Sequence, residues 1–298
     1  MRWTSRYSAS VRAMSSTAPK RPHIDSAMLT NRGNSGHCIP RCVVITGASR
    51  GLGRALAHAY AKPGMLLGLV ARDEAALAAV ADECGQQGAE TVALAADVTR
   101  PDALSAWLAA LDGRRPIDLL IANAGHFDGR RPGAAHEDLE VAISQLRINL
   151  EGTIRTIDAV APLMRARSRG HIAAISSLAA VFPLADAPAY SASKAGLSAY
   201  CEALRGLLAP SGIQVSVISP GHIATRQTEI HDGALPLLMS PECAARRIVS
   251  GLSRQRARIW LPARLALLAQ LGRLLPLPLR LLAGRRLRFA VRDPARAN

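Results

Sequence analysis

Thr46-Gly47-Ala48-Ser49-Arg50-Gly51-Leu52-Gly53 stands between an apolar run over residues 42–46 and a stretch with helical periodicity that begins at Leu52. A glycine-rich turn between a strand and a helix lets the backbone approach a pyrophosphate closely, and the helix N-terminus offers unpaired N–H groups. The same glycines also suit an ordinary tight turn, because glycine adopts positive φ freely. By itself, the stretch predicts either a dinucleotide site or a plain structural turn.

Short apolar or β-branched runs alternate with longer helical patterns on both sides of this turn, which is typical of a parallel sheet with crossover helices. The predicted strands are residues 42–46, 66–71, 91–95, 117–122, 171–175, 213–218 and 258–261. The predicted helices are residues 52–62, 73–86, 101–111, 137–166 (one long helix or two in succession) and 188–208. Right-handed crossovers then give an α/β fold, a Rossmann-type doubly wound parallel sheet of about seven strands in a single domain.

The positive charge of the chain lies almost wholly outside this sheet. The chain has 298 residues, 49% of them apolar, which is enough for a full core and excludes a disordered protein. Of the net charge of +15, residues 1–41 carry +6 and residues 246–298 carry +12, so that residues 42–245 carry −3. With only 3% aromatic residues, the stacking platforms of nucleic-acid binders are scarce, and we expect no nucleic-acid partner. We therefore divide the chain into a flexible basic extension (1–40), a catalytic domain (41–261) and a Leu/Arg-rich helical arm (262–298).

The first 24 residues leave three interpretations open. Apolar residues recur there at helical spacing among arginines, with no acid before Asp25: Trp3, Tyr7, Val11 and Met14. This pattern is compatible with an organellar transit peptide, whereas a secretory signal is not expected because no apolar h-region is present. The alternatives are a disordered tail or a true start at Met14 or Met28. We expect a cytoplasmic protein, with organellar targeting as the alternative.

The five cysteines are scattered, without C-x-x-C spacing: Cys38, Cys42, Cys84, Cys201 and Cys243. This pattern is typical of reduced thiols in a cytosolic-type compartment. His37, Cys38 and Cys42 could be imagined as metal ligands, but no second pair of ligands stands out elsewhere. We therefore expect no metal site.

The turn's spacing, T-G-x-x-x-G-x-G rather than G-x-G-x-x-G, resembles the short-chain dehydrogenase/reductase family. Further matches follow in the family's order over about residues 41–261: Asp97-Val98, Asn123-Ala124-Gly125, Asn149, Ser177, Tyr190-x-x-x-Lys194 and Pro220-Gly221-x-Ile223-x-Thr225. One such motif could arise by chance, but the whole set in order favours the dinucleotide interpretation of the glycine turn.

The resemblance implies a catalytic tetrad of Asn149, Ser177, Tyr190 and Lys194, in which Asn149 holds a water that relays a proton to Lys194. It also implies contacts with a nicotinamide cofactor, including a bond from Lys194 to its ribose. The cofactor-binding residues implied are Thr46, Gly47, Ser49, Arg50, Gly51, Leu52, Gly53, Arg72, Asp97, Val98, Asn123, Ala124, Gly125, Tyr190, Lys194, Pro220, Gly221, Ile223 and Thr225.

The chemistry of the Tyr-x-x-x-Lys pair also follows from its spacing. Tyr190 and Lys194 lie on one face of a predicted helix. A tyrosine with its ordinary pKa near 10 is a poor base at neutral pH, and a cation about 4 Å away is worth about 4 kcal/mol at an effective dielectric constant near 20. Lys194 is therefore expected to lower the pKa of Tyr190, the general acid/base. Ser177 would hold the substrate oxygen. Open alternatives are that Ser177 only caps a strand end, that Ser176 takes its role, and that Asn149 is an ordinary helix-interior residue.

The end of the second predicted strand bears on the choice of cofactor. Relatives that prefer NAD have an acid at the strand tip, where this chain has Ala71. Arg72 follows, and Arg50 stands in the glycine turn, so two guanidinium groups could hold a 2′-phosphate. Asp73 is expected to cap the next helix instead. NADP(H) is therefore favoured over NAD(H).

Apolar segments after the serine and after Pro220-Gly221 predict a hydrophobic substrate, contacted by Ser177, Phe182, Tyr190 and His222. We expect an NADP-dependent oxidoreductase that interconverts an alcohol and a carbonyl, with a small molecule as its substrate. We also expect a homo-oligomer, as in many relatives. The alternatives are an epimerase or dehydratase that retains its cofactor, and a non-catalytic, dinucleotide-sensing scaffold associated with a membrane.

The C-terminal arm contains leucine runs broken by Pro262, Pro276 and Pro278, with arginines between them. It has no uninterrupted 18-residue apolar stretch, so a membrane span is not expected. Three interpretations of the arm remain: packing over the substrate cleft or against a neighbouring subunit, peripheral contact with a membrane surface, and nucleic-acid binding. We favour the first.

Overall fold

Seven parallel strands form one sheet in the computed structural model, which describes residues 40–233, 235–285 and 288–291. The strands of the described residues are β1 Cys42–Thr46, β2 Leu66–Ala71, β3 Glu90–Ala95, β4 Leu119–Ala122, β5 Gly170–Ile175, β6 Ile213–Pro220, β7 His231–Asp232, β8 Arg258–Leu261 and β9 Ala290–Val291. The order across the sheet is β3-β2-β1-β4-β5-β6-β8. β7 and β9 pair antiparallel, apart from the large sheet. The predicted doubly wound sheet is confirmed, while the predictions for residues 1–39, including the possible transit peptide and His37 and Cys38, lie outside the described residues.

Ten α-helices accompany these strands in the described part of the chain. They are α1 Gly51–Tyr60, α2 Glu74–Gln86, α3 Pro101–Arg114, α4 Leu139–Leu146, α5 Gly152–Ala166, α6 Pro188–Leu208, α7 Arg226–Glu229, α8 Pro241–Ser253, α9 Ala263–Leu274 and α10 Leu277–Arg285. One apolar core on each face of the sheet holds them in place. The first includes residues of α1, α2 and α8, and the second includes residues of α3, α5 and α6. The central strands β1, β2 and β4 are buried along their whole length, which is why they read as unbroken apolar runs.

The stretch predicted as helix over residues 137–166 consists of two helices joined by a π-helical turn, Arg147–Glu151. α4 begins at an N-cap, Asp138, whose carboxylate accepts a hydrogen bond from the Val141 N–H at 3.0 Å. Single π-turns within helices often occur at functional sites. This one carries Asn149, which is fully buried.

Four elements were absent from the prediction: α7, α8, β7 and β9. The buried residues of α8 recur at helical spacing, Ala244, Ala245, Ile248 and Leu252, so that the sequence contained a signal for it. β7 and β9 have two residues each, and their pairing joins His231 to Val291 across a long stretch of chain. Periodicity over so few residues carries no information.

The C-terminal arm is partly helical, with α9 and α10 following β8 directly. No helix of the described part of the chain is long and apolar enough to cross a bilayer. Ala266 is buried, and Leu265 approaches Gly221, so α9 lies against the loop that follows β6.

Candidate active site

A cleft of about 1050 Å³ opens along the carboxyl ends of β1 to β6. In a doubly wound sheet, the loops at this edge form the binding crevice. Nearly all the residues predicted to be catalytic or to bind cofactor or substrate line it, although Thr46 and Asn149 do not. The cleft exceeds the roughly 300–1000 Å³ of typical small-molecule sites, which leaves room for a dinucleotide together with a substrate.

The glycine turn forms one end of the cleft floor. Gly47 and Gly51 have φ of 67° and 54°, in the left-handed region that favours glycine. A Cβ on Gly53 would overlap the carbonyl oxygen of Gly47, so α1 packs directly against the turn. The turn therefore needs its glycines for backbone geometry and packing, and it also presents the N-terminus of α1 to the cleft.

Thr46 braces this turn from behind. Its hydroxyl accepts hydrogen bonds from the N–H groups of Asn123 and Ala124 at 3.1 and 3.0 Å. The Asn123 amide in turn donates to the carbonyl oxygens of Thr46 and Gly47 at 2.9 and 3.2 Å. These bonds join the ends of β1 and β4. Thr46 therefore does not line the cleft but fixes the position of the backbone that does.

The ends of β2 and β3 form the next part of the wall. Arg72 and Arg50 both line the cleft with exposed guanidinium groups, and the strand tip itself is the buried Ala71. Asp73 accepts a hydrogen bond from the Ala76 N–H at 3.1 Å and caps α2, as predicted. Burial alone would raise the pKa of Asp97, but hydrogen bonds from Thr99 outweigh it and lower that pKa.

Tyr190 and Lys194 lie four residues apart on α6, as predicted. The Lys194 Nζ is 5.9 Å from the centroid of the Tyr190 ring and donates to the carbonyl oxygen of Ile175 at 2.9 Å. A Cβ built on Gly125 would lie 3.3 Å from Lys194 Nζ and 3.2 Å from Asn149 Oδ1. The glycine at the end of β4 thus leaves space for the side chains of both residues.

The pKa of Tyr190 differs from the sequence-based expectation. Burial raises this pKa, and a hydrogen bond with the Ser177 side chain only partly opposes the rise. Burial also lowers the pKa of Lys194 to about 8. The reason for the difference is that desolvation disfavours the charged form of each group, an effect that the attraction between two charges does not include.

The two neighbouring serines have different partners. Ser176 Oγ donates to the carbonyl oxygen of Lys194 at 2.9 Å and lies 2.7 Å from the hydroxyl of Ser198. Ser177 Oγ accepts from the Ala179 N–H at 3.1 Å, so that it caps the short turn after β5, and it also hydrogen-bonds to Tyr190. Ser177 therefore combines the capping role with a position beside the tyrosine, whereas Ser176 anchors the backbone of α6.

Asn149 lies behind the wall of the cleft. Its Oδ1 accepts from the His126 N–H at 2.7 Å, and its Nδ2 donates to the His126 carbonyl oxygen at 2.8 Å and to Ser193 Oγ at 3.1 Å. Asn149 thus clamps the loop after β4 against α6. Its role in a water relay stays a prediction.

An aromatic cluster that the sequence analysis missed lies over Tyr190. The ring of Phe127 meets Tyr190 edge-on, with centroids 4.9 Å apart. Phe289 lies 6.0 Å from Phe127 and stacks on His231 at 4.1 Å. His222, which was predicted to contact substrate, approaches His231 at 5.9 Å, and burial lowers its pKa to about 4. These rings come from four separate segments, so only the folded chain brings them together.

Residues 288–291, here called the strap, hold Phe289 in this cluster. The buried Asp186 accepts hydrogen bonds from Arg288 Nε at 2.7 Å, the Phe289 N–H at 3.0 Å and Arg130 Nε at 2.8 Å. Burial alone would raise the pKa of Asp186, but these bonds outweigh it and hold the pKa at about 2. A buried carboxylate with three charged or backbone donors is a firm anchor for the strap.

The family profile described as short chain dehydrogenase matches residues 41–232, more than half of the chain. The chain belongs to the short-chain dehydrogenase/reductase family. An oxidoreductase of Myxococcus xanthus without an assigned substrate is 36% identical over 249 residues, which are 83% of this chain and 98% of that protein.

Two solved structures of short-chain dehydrogenases resemble this chain closely in fold. A short-chain dehydrogenase from Sphingobium yanoikuyae in complex with NADPH is 30% identical, with a TM-score of 0.66 over 76% of this chain and 91% of that one. A 3-oxoacyl-[acyl-carrier protein] reductase from Brucella melitensis with bound NAD is 28% identical, with a TM-score of 0.64 over 74% of this chain and 89% of that one. This short-chain dehydrogenase is thus an oxidoreductase of a family that binds nicotinamide dinucleotides.

The cleft of this short-chain dehydrogenase fits such a cofactor. The helix N-terminus at Gly51 suits a pyrophosphate, and the cleft continues past Asp97 and Asn123 to Pro220 and Thr225. No group of three or more potential metal ligands occurs among the described residues.

Proposed function

We propose that the protein interconverts an alcohol and a carbonyl on a hydrophobic substrate, with NADP(H) as its cofactor. The observation that carries the proposal is the placement of Ser177, Tyr190 and Lys194 together on the floor of a cleft whose outer walls are apolar. When bound, the nicotinamide dinucleotide exchanges the hydride.

Tyr190 is the proton donor in the direction of carbonyl reduction. Because burial raises its pKa, the phenol is protonated at neutral pH and can donate to a substrate oxygen as negative charge develops there. The Ser177 hydroxyl, beside Tyr190, stabilises the same oxygen by a hydrogen bond. Lys194, with a pKa of about 8, is largely protonated at pH 7 and adds a positive charge below the ring of Tyr190.

Arg50 and Arg72 support the choice of NADP(H). Both guanidinium groups line the cleft at its β2 end, where Ala71 supplies no carboxylate and Asp73 is engaged as a helix cap. Guanidinium groups bind phosphate by strong, charge-assisted hydrogen bonds. The NADPH in the Sphingobium yanoikuyae relative agrees with this choice, whereas the NAD in the Brucella melitensis relative shows that the family admits both cofactors.

The substrate half of the cleft supports a hydrophobic substrate. Beyond Tyr190 it is lined by Phe127, by Phe182 and Leu184 of the loop before α6, and by leucines of the arm, Leu265, Leu268, Leu275, Leu279 and Leu282. An apolar wall with a few converging polar groups is the usual form of a site for apolar small molecules.

The test is oxidation of NADPH with a panel of aliphatic and aromatic ketones, for the parent enzyme and for Tyr190→Phe. We expect turnover in the parent and a loss of at least about a hundredfold in the variant, since general acid catalysis contributes about that much or more. Tyr200→Phe, ten residues further along α6, is the matched control and should retain activity.

Three results would contradict the proposal. Equal turnover in Tyr190→Phe would remove the tyrosine from the proton transfer. Conversion of an alcohol or sugar without net oxidation of NADPH would favour an epimerase or dehydratase. Tight binding of NADPH without turnover of any substrate would favour a dinucleotide-sensing scaffold.

A further inference from the structure

The two arm helices, α9 and α10, expose an unusual number of leucines. Thirteen large apolar side chains are exposed in the described part of the chain, and nine belong to this stretch: Leu267, Leu268, Leu271, Leu274, Leu275, Leu277, Leu279, Leu281 and Leu282. Leu274 is 81% exposed. Monomeric proteins rarely leave so many neighbouring apolar side chains in water, and such patches mark interaction surfaces.

The charges among these leucines all have one sign. Residues 263–285 contain four arginines, Arg264, Arg273, Arg280 and Arg285, and no aspartate or glutamate. Arg264, Arg273 and Arg285 are exposed. The surface is therefore apolar and cationic, and its partner should be apolar and anionic.

The exposed leucines fall into two groups. Leu268, Leu275, Leu279 and Leu282 also line the cleft, at its mouth. The other five, Leu267, Leu271, Leu274, Leu277 and Leu281, do not line the cleft. The helices thus form a wall of the cleft on one side, where Gly272 packs against Phe182, and offer an apolar surface to an external partner on the other.

We propose that this surface docks on an anionic phospholipid bilayer. Helices of 12 and 9 residues are too short to cross a bilayer, which takes about 20 residues. Short helices with leucines and flanking arginines instead lie in the plane of the bilayer interface, where the apolar side chains reach the acyl boundary and the arginines meet lipid phosphates. Each arginine near an anionic bilayer strengthens binding by about fivefold.

A second copy of the chain is a poorer partner on grounds of charge. A twofold interface places the same patch on both subunits. Four arginines would then face four arginines with no acid of residues 263–285 between them, and like charges across an interface oppose association.

Docking would place the mouth of the cleft at the bilayer surface. If the enzyme acts on hydrophobic carbonyl compounds, which is the function proposed above, its substrates can enter from the acyl region without crossing water. Vesicle binding is measured without turnover, so the docking proposal and the proposed function can fail separately.

The experiment is co-sedimentation of the full-length protein with vesicles of phosphatidylcholine, either alone or with 30% phosphatidylserine. Wild-type protein should sediment with the anionic vesicles, and its binding to vesicles of phosphatidylcholine alone should be at least about tenfold weaker. Binding to the anionic vesicles should also weaken in 0.5 M NaCl. Leu274→Ser/Leu277→Ser/Leu281→Ser, which leaves the residues lining the cleft intact, should lose at least about tenfold in binding. Leu139→Ser/Leu207→Ser removes two equally exposed leucines from the body, at 70% and 69% exposure, and should bind like the wild type.

A charge variant, Arg264→Gln/Arg273→Gln/Arg285→Gln, keeps every leucine and should lose the preference for anionic vesicles. Absence of wild-type binding to either vesicle would overturn the proposal, as would equal binding by the two leucine variants. A wild-type dimer that the triple leucine variant converts to monomers, with no vesicle binding by either, would assign the surface to a second copy of the chain.

Discussion

Replacing Lys194 with methionine is expected to change how the stability of the protein depends on pH. Lys194 is 4% exposed, and burial lowers its pKa from the ordinary 10.5 to about 8. The folded protein therefore binds this proton less tightly than the unfolded chain does. At about 1.4 kcal/mol for each pH unit of difference, the charged lysine destabilises the fold by about 3 kcal/mol at pH 7.

The sign follows from proton release. Between pH 8 and pH 10.5, the unfolded chain still holds the proton that the folded protein has lost, so the stability of the wild type rises with pH in this window. The destabilisation by Lys194 falls to about 2 kcal/mol at pH 9. The variant has no such group. Its lost hydrogen bond to Ile175 costs about 1–3 kcal/mol at either pH and cancels from the comparison.

The assay is urea unfolding at pH 7, 8 and 9, followed by tryptophan fluorescence. The stability of Lys194→Met relative to the wild type should fall by about 1 kcal/mol between pH 7 and pH 9. Lys62→Met is the matched control, because Lys62 is exposed and is the other lysine of the described residues; its difference from wild type should be constant. A constant difference for Lys194→Met as well, within about 0.3 kcal/mol, would refute burial of the charge as the cause.

Three further predictions concern the cofactor, the strap and the glycine turn. Arg72→Ala should reduce the ratio of the dissociation constants of NADH and NADPH by about tenfold. Equal dissociation constants of the two cofactors in the wild type would show that Arg72 does not select NADPH. Asp186→Asn should lower the free energy of unfolding by about 2 kcal/mol and raise KM more than it lowers kcat. The stabilisation that Asp186 contributes is present above about pH 4 and should be lost as the pH falls through about 2. An unchanged KM in this variant would mean that the strap stays in place without the carboxylate. Gly53→Ala should lower Tm because its Cβ overlaps Gly47; an unaltered Tm would mean that the turn yields without cost.

The parallel sheet could be predicted because its central strands are buried on both faces. Residues of β1 and β2 have no solvent side, so each reads as one apolar run, and each is followed by a turn whose chemistry is local. The same holds for the Tyr190–Lys194 pair, since helical spacing alone places both side chains on one face of α6. Patterns within a few residues were therefore enough to predict these strands and the placement of this pair.

Two features of the site could not be predicted in this way. The strap is held at the cleft by Asp186, which lies 103 residues away from Phe289 along the chain. No local sequence pattern predicts a contact between residues so far apart. The pKa of Tyr190 depends on how much water the fold removes from the phenol, and the i,i+4 spacing says nothing about desolvation.

The sequence by itself determined the seven strands of the parallel sheet, the glycine turn and the positions of Ser177, Tyr190 and Lys194, because these depend on neighbours within a few residues. Only the tertiary structure decided what surrounds them. It placed Asn149 behind the cleft wall, closed the aromatic cluster over Tyr190, and left nine arm leucines exposed, four of them at the mouth of the cleft. Burial and contact between distant segments are properties of the whole fold, since each depends on atoms that the local sequence does not contain.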